Sequence, residues 1–577
     1  MLETAGLKVD EALLALWRAR VARARSSLGW TEGGIAARQH SGGASLALAA
    51  PPDQLFTATE VNEWALCAAL LAQDASRWRH LEAALAAAAL ESAAEPAAGL
   101  APVLEEEAAL GRLRRIASRE ARPDLMSLLE AAGARRLPHV LDEALLTLGA
   151  GAGGRDFELT ALPGAGAVPW GALRDIPTAL VTGSNGKTTS VRLLAACAAA
   201  EGWPAAYCCT DGVFLGGEPL ASGDYSGPLG ARFVMRERRA RCAVVETARG
   251  GILRRGIALS HAHVALVTNV SPDHFGEYGI DDLDGLADVK LSVAGVLRGE
   301  GLLVLNADDE RLRAKAPDLA RRFGRAPPIG WFALDADSAF LSAHRRSGGA
   351  TCGVRGGRLL LTRGAAEHDL GAVSAMPLTV DGSANYNIAN LAGAALAAAA
   401  LGVQPQRIAH VFARFGSSIA DNFGRMMRFE RGGVRILVDY AHNVEGLKGL
   451  LAVAEHLRGG RGRLGTLLGH AGNRQDAEIE ALARAAAGFH PALVVVKENE
   501  AHLRGRAPGE IPRIIHDALL GQGLPQSSVR VRMSELEAVQ CALEWARPGD
   551  VLALPVHAPA ARAAVLALLT QGGGGGP

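Results

Sequence analysis

The stretch Val181-Thr182-Gly183-Ser184-Asn185-Gly186-Lys187-Thr188-Thr189 constrains this chain more than any other. An apolar, β-prone run at 178–181 leads into it, and Val191, Leu193, Leu194 and Cys197 begin an apolar, alanine-rich helix behind it. A strand, a tight glycine turn and a helix N-terminus together form a phosphate cradle. Turn N–H groups point at the anion and the helix dipole favours its charge. In such a cradle Lys187 reaches the β- and γ-phosphates and the Thr188 hydroxyl sits on Mg²⁺. The first glycine of the general G-x-x-x-x-G-K-[ST] pattern is Val181 here, so the shorter G-x-x-G-K-T-T stands in its place. A chance glycine turn is the competing explanation, and the order strand, loop, helix speaks against it.

Around this stretch the pattern is one of apolar strands alternating with helices. Candidate strands at 178–181, 243–246, 263–270 and 302–305 predict a mostly parallel sheet covered on both faces, in a central domain over 175–423. A second run at 435–439, 465–468, 493–496 and 551–554 predicts a smaller α/β domain over 424–569, followed by a glycine-rich tail at 570–577. Residues 1–148 read as a mostly helical domain: Thr57-x-x-Glu60 has the form of a capping box ahead of Val61, Trp64, Ala65 and Leu71. The run Glu105-Glu106-Glu107 with Arg112, Arg114 and Arg115 reads as a solvated, salt-bridged helix face, and the alanines at 83–89 as helix. A Gly/Pro-rich linker is expected at 149–174. The fold class expected is therefore α/β, a P-loop parallel-sheet domain and a second α/β domain behind a helical N-terminal domain.

The chain has 577 residues and zero formal net charge, so bulk attraction to nucleic acid or membrane is not expected. No apolar run is long enough to span a bilayer. Seven scattered cysteines without C-x-x-C spacing argue against a disulfide framework or a zinc site and fit a reducing cytoplasm. Lysine is confined to Lys8, Lys187, Lys290, Lys315, Lys448 and Lys497, which gives a lysine inside a motif added weight.

Ligands of open α/β sheets gather at the carboxyl ends of the strands. Glu246 ends the run Ala243-Val244-Val245, where a hard carboxylate suits Mg²⁺; a helix N-cap carboxylate is the alternative. The next strand ends in Thr268-Asn269-Val270-Ser271-Pro272-Asp273-His274, which places His274 in a loop beside the cradle.

Taken together, T-G-x-N-G-K-T-T, Glu246 and the Asn-x-x-x-Asp-His of 269–274 resemble the Mur ligases, ATP-dependent amide-bond ligases. Glu246-Thr-Ala-Arg-Gly-Gly-Ile-Leu-Arg254, Gly223-Asp-Tyr-Ser-Gly-Pro228 and Arg504-Gly-Arg-Ala-Pro-Gly-Glu510 are similar to the Mur-ligase-like module of cyanophycin synthetases. That resemblance spans about residues 175 to 565 and does not extend to the ATP-grasp module those enzymes also carry.

The resemblance implies ATP phosphates on Gly183, Asn185, Gly186, Lys187, Thr188 and Thr189, and two Mg²⁺ ions. One ion would be held by Thr188 and Glu246. The second would be ligated by His274 and approached by Lys290, carbamylated by CO₂; an exposed lysine is the alternative. Asn387 and Asn390 match the adenine-side motif, with Ala384 where a glycine is customary. Arg425 matches a hinge arginine that meets nucleotide phosphate, and Asp439 an aspartate near the ribose. Lys187, His274, Lys290 and Arg425 are the catalytic residues so implied. Asp224, Arg249, Arg504, Arg506 and Glu510 would contact the amino acid or its acceptor. In place of a common Gly-Lys-Gly-His-Glu stretch this chain has Leu554-Pro-Val-His557-Ala-Pro559, which makes His557 structural.

The expected activity is ATP-dependent joining of an amino acid to an amino acid or short peptide carboxylate through an acyl phosphate. Expected partners are those small molecules, with a homo-oligomer or a partner ligase docking through the helical domain. Two alternatives stay open at this point. A P-loop NTPase or kinase would turn over ATP without a carboxylate, and a silent scaffold would keep the fold alone.

Overall fold

The computed structural model describes residues 1–570 apart from 5, 41, 79, 81–105, 273–274 and 499–501. The alanine run 83–89, Glu105, His274 and the glycine tail at 571–577 lie outside the described residues. The chain divides into two compact units, residues 1–175 with 274–285, and residues 176–273 with 286–577.

In the first unit, helices Glu11–Ser27, Leu55–Gln73 and Glu106–Glu120 bury Trp17, Val21, Val61, Trp64 and Leu113 in one core. Within it the Trp17 indole N–H donates to Asn62 Oδ1 at 2.9 Å. Helix is the main regular structure, and two three-stranded antiparallel sheets accompany it. Two features depart from the sequence expectation. Thr57-x-x-Glu60 forms no capping box: Gln54 is the N-cap, and the first free N–H groups, of Phe56 and Thr57, donate to Glu120 at 2.7 and 2.8 Å. A carboxylate from another helix thus does the work of a cap and meets the positive end of the dipole. The acidic run is salt-bridged as expected, its pairs reaching other helices: Glu106 meets Arg23 at 2.8 Å, and Arg112 reaches Glu60 at 2.6 Å. Residues 149–174 are no open linker. Arg155–Glu158 pairs with Leu145–Leu148, and Val168 and Leu173 are buried against Leu128 and Leu146.

The second unit holds two sheets. The first comprises β1 (Thr178–Thr182), β2 (Ala205–Cys209), β3 (Gly212–Leu215), β4 (Glu218–Ser222), β5 (Cys242–Glu246), β6 (Ala262–Val267), β7 (Leu297–Asn306), β8 (Ile329–Asp335), β9 (Thr351–Arg355), β10 (Arg358–Arg363) and β11 (Ala366–Ala372). Their order is β4-β3-β2-β5-β1-β6-β7-β8-β9-β10-β11. Pairing is parallel from β2 to β9, and antiparallel hairpins close both edges. The parallel strands β1, β5 and β6 and the end of β7 are buried on both faces and read as continuous apolar runs, the pattern that made them legible, whereas β2, β8 and β9 were not expected from the sequence. Helices α1 (Lys187–Ala200) and α2 (Asn385–Leu401) pack into one core with β1, β5, β6 and β8. Both are alanine-rich, so their backbones lie close to the sheet and to each other.

The second sheet comprises β12 (Met427–Arg431), β13 (Val434–Asp439), β14 (Leu464–Leu468), β15 (Leu493–Lys497), β16 (Val529–Arg532) and β17 (Val551–Pro555), in the order β12-β13-β17-β14-β15-β16. Only the β12–β13 pair is antiparallel. Helix α3 (Val444–Arg458) and its neighbours fill one face, and Glu535–Trp545 and Pro559–Thr570 the other. Among the described residues no helix is long and apolar enough to cross a membrane.

Candidate active site

The glycine turn occupies the end of β1. Gly183 has φ +149° and Gly186 φ +82°. A Cβ at Gly183 would fall 1.8 Å from Thr268 Oγ1, and one at Gly186 2.1 Å from Asn390 Oδ1. These two positions need glycine for conformation and for space. Val181 needs none: it is a buried strand residue in register with Glu246, and the turn starts two residues later. Ala384, before α2, has φ −85° and is fully buried, a conformation open to any residue. Neither departure from the motif strains the backbone.

The turn is held from β6. Asn185 N–H donates to Asn269 Oδ1 at 3.0 Å, and Asn269 Nδ2 and Thr268 Oγ1 return bonds to the Asn185 carbonyl at 3.1 and 2.6 Å. Lys187 Nζ lies 3.0 Å from both the Gly183 and Ser184 carbonyls, curled over the turn at the N-terminus of α1. Beside it Glu246 is 1% exposed and accepts from Thr188 Oγ1 at 2.8 Å and Thr210 Oγ1 at 3.1 Å. Burial holds its carboxyl above the usual range, against Lys187 and the Thr188 hydrogen bond. A buried carboxylate and hydroxyl at a helix N-terminus, next to an anion cradle, fit Mg²⁺, which takes few protein oxygens and keeps phosphate and water. Among the described residues no group of three or more His, Cys, Asp or Glu could hold a metal.

The second sheet supplies the facing wall. Asn443, N-cap of α3, donates from Nδ2 to Asn185 Oδ1 at 3.0 Å. Asp439 ends β13 and accepts from the N–H groups of Met426 at 2.6 Å and Ala441 at 2.8 Å. Its burial raises the carboxyl pKa, with Arg425 and these backbone donors opposing. The Arg425 guanidinium lies over the Tyr440 ring at 4.2 Å. Between the walls is a cavity of about 920 Å³, lined by the glycine turn, Asn387, Asn390, Arg425, Asp439 and Tyr440 among others.

A second tie lies behind these groups. Asp211, in the β2–β3 turn next to Thr210, meets Arg192 of α1 at 2.9 Å and Arg562 of the helix Pro559–Thr570 at 3.0 Å. Arg192 also donates to the Phe423 carbonyl at 2.8 Å. Thr210, Asp211, Arg192 and Arg562 were not singled out from sequence. They share no spacing with the motif residues, and only the fold joins them.

Residues 181–345 match the Mur ligase middle domain, and residues 424–554 match the Mur ligase glutamate ligase domain. The chain carries the middle and C-terminal domains of a Mur ligase. Over 385 residues it is 34% identical to a cyanophycin synthetase of Trichormus variabilis, covering 66% of this chain and 41% of that one. The chain thus spans about two fifths of the length of the cyanophycin synthetases it matches. A more distant relative is a UDP-N-acetylmuramoyl-L-alanyl-D-glutamate–2,6-diaminopimelate ligase of Chlorobaculum tepidum, 25% identical over 64% of this chain and 70% of that one. Among solved structures, E. coli FolC in complex with DHPP and ADP superposes with a TM-score of 0.50 at 18% identity, covering 68% of this chain and 89% of that one. That likeness concerns the fold.

Within the Mur ligase domains, the expected site residues divide. Gly183, Asn185, Gly186, Lys187, Thr188, Thr189, Glu246, Asn387, Asn390, Arg425 and Asp439 come together at the cavity or in its walls. Asn387 and Asn390 are no helix caps: both are buried, with Asn387 Nδ2 on the Leu378 carbonyl at 2.9 Å and Asn390 Nδ2 on Asn387 Oδ1 at 3.2 Å. Lys290 is 3% exposed on the helix Leu283–Leu291, which removes the exposed-lysine alternative. The amino-acid contacts do not converge there. Asp224, Arg249, Arg504, Arg506 and Glu510 are absent from the cavity lining. Asp224 accepts from Ser226 N and Oγ at 2.9 and 2.6 Å, a local turn. Arg506 pairs with Glu510 at 2.7 Å and Asp476 at 2.6 Å and bonds the Gly472 and Arg474 carbonyls, so it holds the 472–476 loop. Arg249 is buried, and Arg504 is exposed at φ +46°.

Proposed function

We propose that this chain is an ATP-dependent carboxylate–amine ligase that joins an amino acid to the carboxylate of an amino acid or short peptide. What carries this reading is the convergence on one cavity of an anion cradle, a buried Thr188–Glu246 pair and the facing Arg425 and Asp439. The 34% identity to a cyanophycin synthetase supports the substrate class. A substrate carboxylate oxygen attacks the γ-phosphorus in line, the bond to the β-phosphate oxygen breaks, and an acyl phosphate and ADP result. An amine nitrogen then attacks the acyl carbon, phosphate leaves, and the amine proton passes to solvent. Lys187 leaves the Gly183 and Ser184 carbonyls for the γ-phosphate and stabilises charge on its equatorial oxygens. The N–H groups of the first turn of α1 orient the phosphates, Asn387 and Asn390 bound the base side, and Asp439 receives the ribose. Mg²⁺, when held by Thr188 and Glu246, would neutralise phosphate charge. Arg425 and Tyr440 close the cavity against water, which would hydrolyse the acyl phosphate.

The test is incubation with ATP, Mg²⁺ and a matrix of amino acids and short acidic peptides. ADP, phosphate and product masses are followed, with Lys187→Ala alongside. A condensed product that tracks ADP release and vanishes in the variant is the expected result. ATP turnover indifferent to carboxylate and amine would replace the ligase with an NTPase, and no ATP binding would leave a scaffold.

A further inference from the structure

Behind the cavity wall formed by residues 439–443 lies a buried charged cluster that the proposed chemistry does not use. Lys497, the last residue of β15, is 0% exposed, and its ammonium pairs with Glu535. Glu535, the first residue of the helix Glu535–Trp545, also accepts from the backbone N–H groups of His557 at 2.9 Å and Ala558 at 2.7 Å. His557, two residues beyond β17, presents Nδ1 to Lys497 Nζ at 3.4 Å and Nε2 to the Ala441 carbonyl at 3.1 Å. Gly469, just past β14, makes room for this path: a Cβ there would lie 2.7 Å from the Lys497 carbonyl and 2.8 Å from its Cγ.

The partners determine the tautomer. A backbone carbonyl only accepts, so Nε2 carries the hydrogen; Nδ1 faces the Lys497 ammonium at 3.4 Å, nearer than Glu535 Oε1 at 3.6 Å, and an ammonium only donates, so Nδ1 is bare. Burial and the Lys497 charge hold the imidazole neutral, well below its usual pKa. The one hydrogen His557 donates from its side chain therefore reaches the backbone of Ala441, which itself lines the cavity. Ala441 lies between Asp439 and Asn443, the two residues that meet Met426 and the glycine turn. The His557 ring also stands edge-on to Tyr440 at 5.5 Å, under the ring that carries Arg425.

We propose that His557, held in its Nε2–H tautomer by Lys497 and Glu535, is a positioning residue that fixes the 439–443 wall of the nucleotide cavity. The proposal rests on the nucleotide reading above. Lys497 and Glu535 act through His557, and none of the three lines the cavity.

Two measurements on the full chain test it. Hydrogen exchange over 439–446 is read without nucleotide, and Mg·ADP is titrated calorimetrically. The variants are His557→Phe, which keeps bulk and removes the donor, and His557→Gln, which keeps a donor. One lost hydrogen bond of about 1 kcal/mol is worth several-fold in an equilibrium. The expected result is that His557→Phe speeds exchange in this segment and weakens ADP about five- to tenfold, while the melting temperature falls by no more than a few degrees. His557→Gln returns both readouts to within about threefold of wild type. Wild-type exchange in His557→Phe overturns the proposal, as does failure of His557→Gln to rescue while folding like wild type. If His557→Phe fails to fold, Lys497→Met is read instead by imidazole ¹⁵N shifts, and an unchanged tautomer and exchange overturns it. A wild-type chain that binds no ADP sinks the nucleotide reading alone, because exchange still decides what His557 does.

Discussion

Glu246 sets the chemistry at the scale of single residues, because its burial and its proposed cation pull in opposite directions. With its carboxyl raised by burial, protonation competes with Mg²⁺ at a higher pH than for an exposed glutamate. Affinity for Mg·ADP is therefore expected to be full at about pH 8 and to fall as pH drops through the raised value, above the ordinary ~4.3. Calorimetric titration across that range checks it, with Glu246→Gln flat and weak throughout; a wild-type affinity independent of pH would count against the site. Gly186 makes a second, steric prediction. A Cβ at φ +82° and 2.1 Å from Asn390 Oδ1 combines backbone strain with a clash. Gly186→Ala is expected to cost about 1–3 kcal/mol in denaturant unfolding and to abolish ADP binding.

Between elements, Asp211 is the tie with the largest consequence, since it takes one arginine from α1 and one from the last helix. Burial pushes its pKa up, but Arg425, Arg192 and Arg562 together bring it below the usual value. A lowered carboxylate contributes stability that is complete above its unfolded pKa and lost as pH falls through the folded one. The tie thus outlasts Glu246 as the solution is acidified. Asp211→Asn leaves two buried arginines without their anion, and breaking such a pair costs about 3–5 kcal/mol. The variant is expected to split unfolding of the two sheets into two transitions; a single wild-type transition in calorimetry would show that the tie does not couple them. What could be read beforehand follows the same scale. The parallel strands and the glycine turn carry local patterns, so β1, β5, β13 and their terminal residues Glu246 and Asp439 were legible. The edge strands β4 and β11 are largely exposed and escaped notice, and so did the short hairpin strands β3 and β10 and the parallel strands β2, β8 and β9, whose apolar residues are few or broken by glycine and small residues. Asp211–Arg562 and Lys497–Glu535–His557 are invisible in sequence, because each is assembled from residues on elements the sheet order brings together. The cap at Leu55 misled for a related reason: Thr57 had the right neighbour in sequence, but Glu120 arrived through tertiary packing.

For the whole molecule, the division of the chain matters more than its length. Residues 274–285 leave the second unit's sequence and belong with residues 1–175. Arg38 donates to the Tyr278 carbonyl, and Gly279, at φ +65°, would place a Cβ 2.6 Å from the His40 ring. The strand β6, which ends just before this excursion, belongs instead to the parallel sheet. Cooperative units open together, so exchange should follow the unit and not the sequence neighbour. Residues 275–285 are expected to open in step with the hairpin Ile35–His40 and Gly43–Leu48, at a free energy well below that of β6. Arg38→Ala should raise exchange in 275–285 and leave 262–267 unchanged. If instead the excursion kept the protection of β6 in the variant, its allegiance would be to the sheet, and the two units would have to be redrawn.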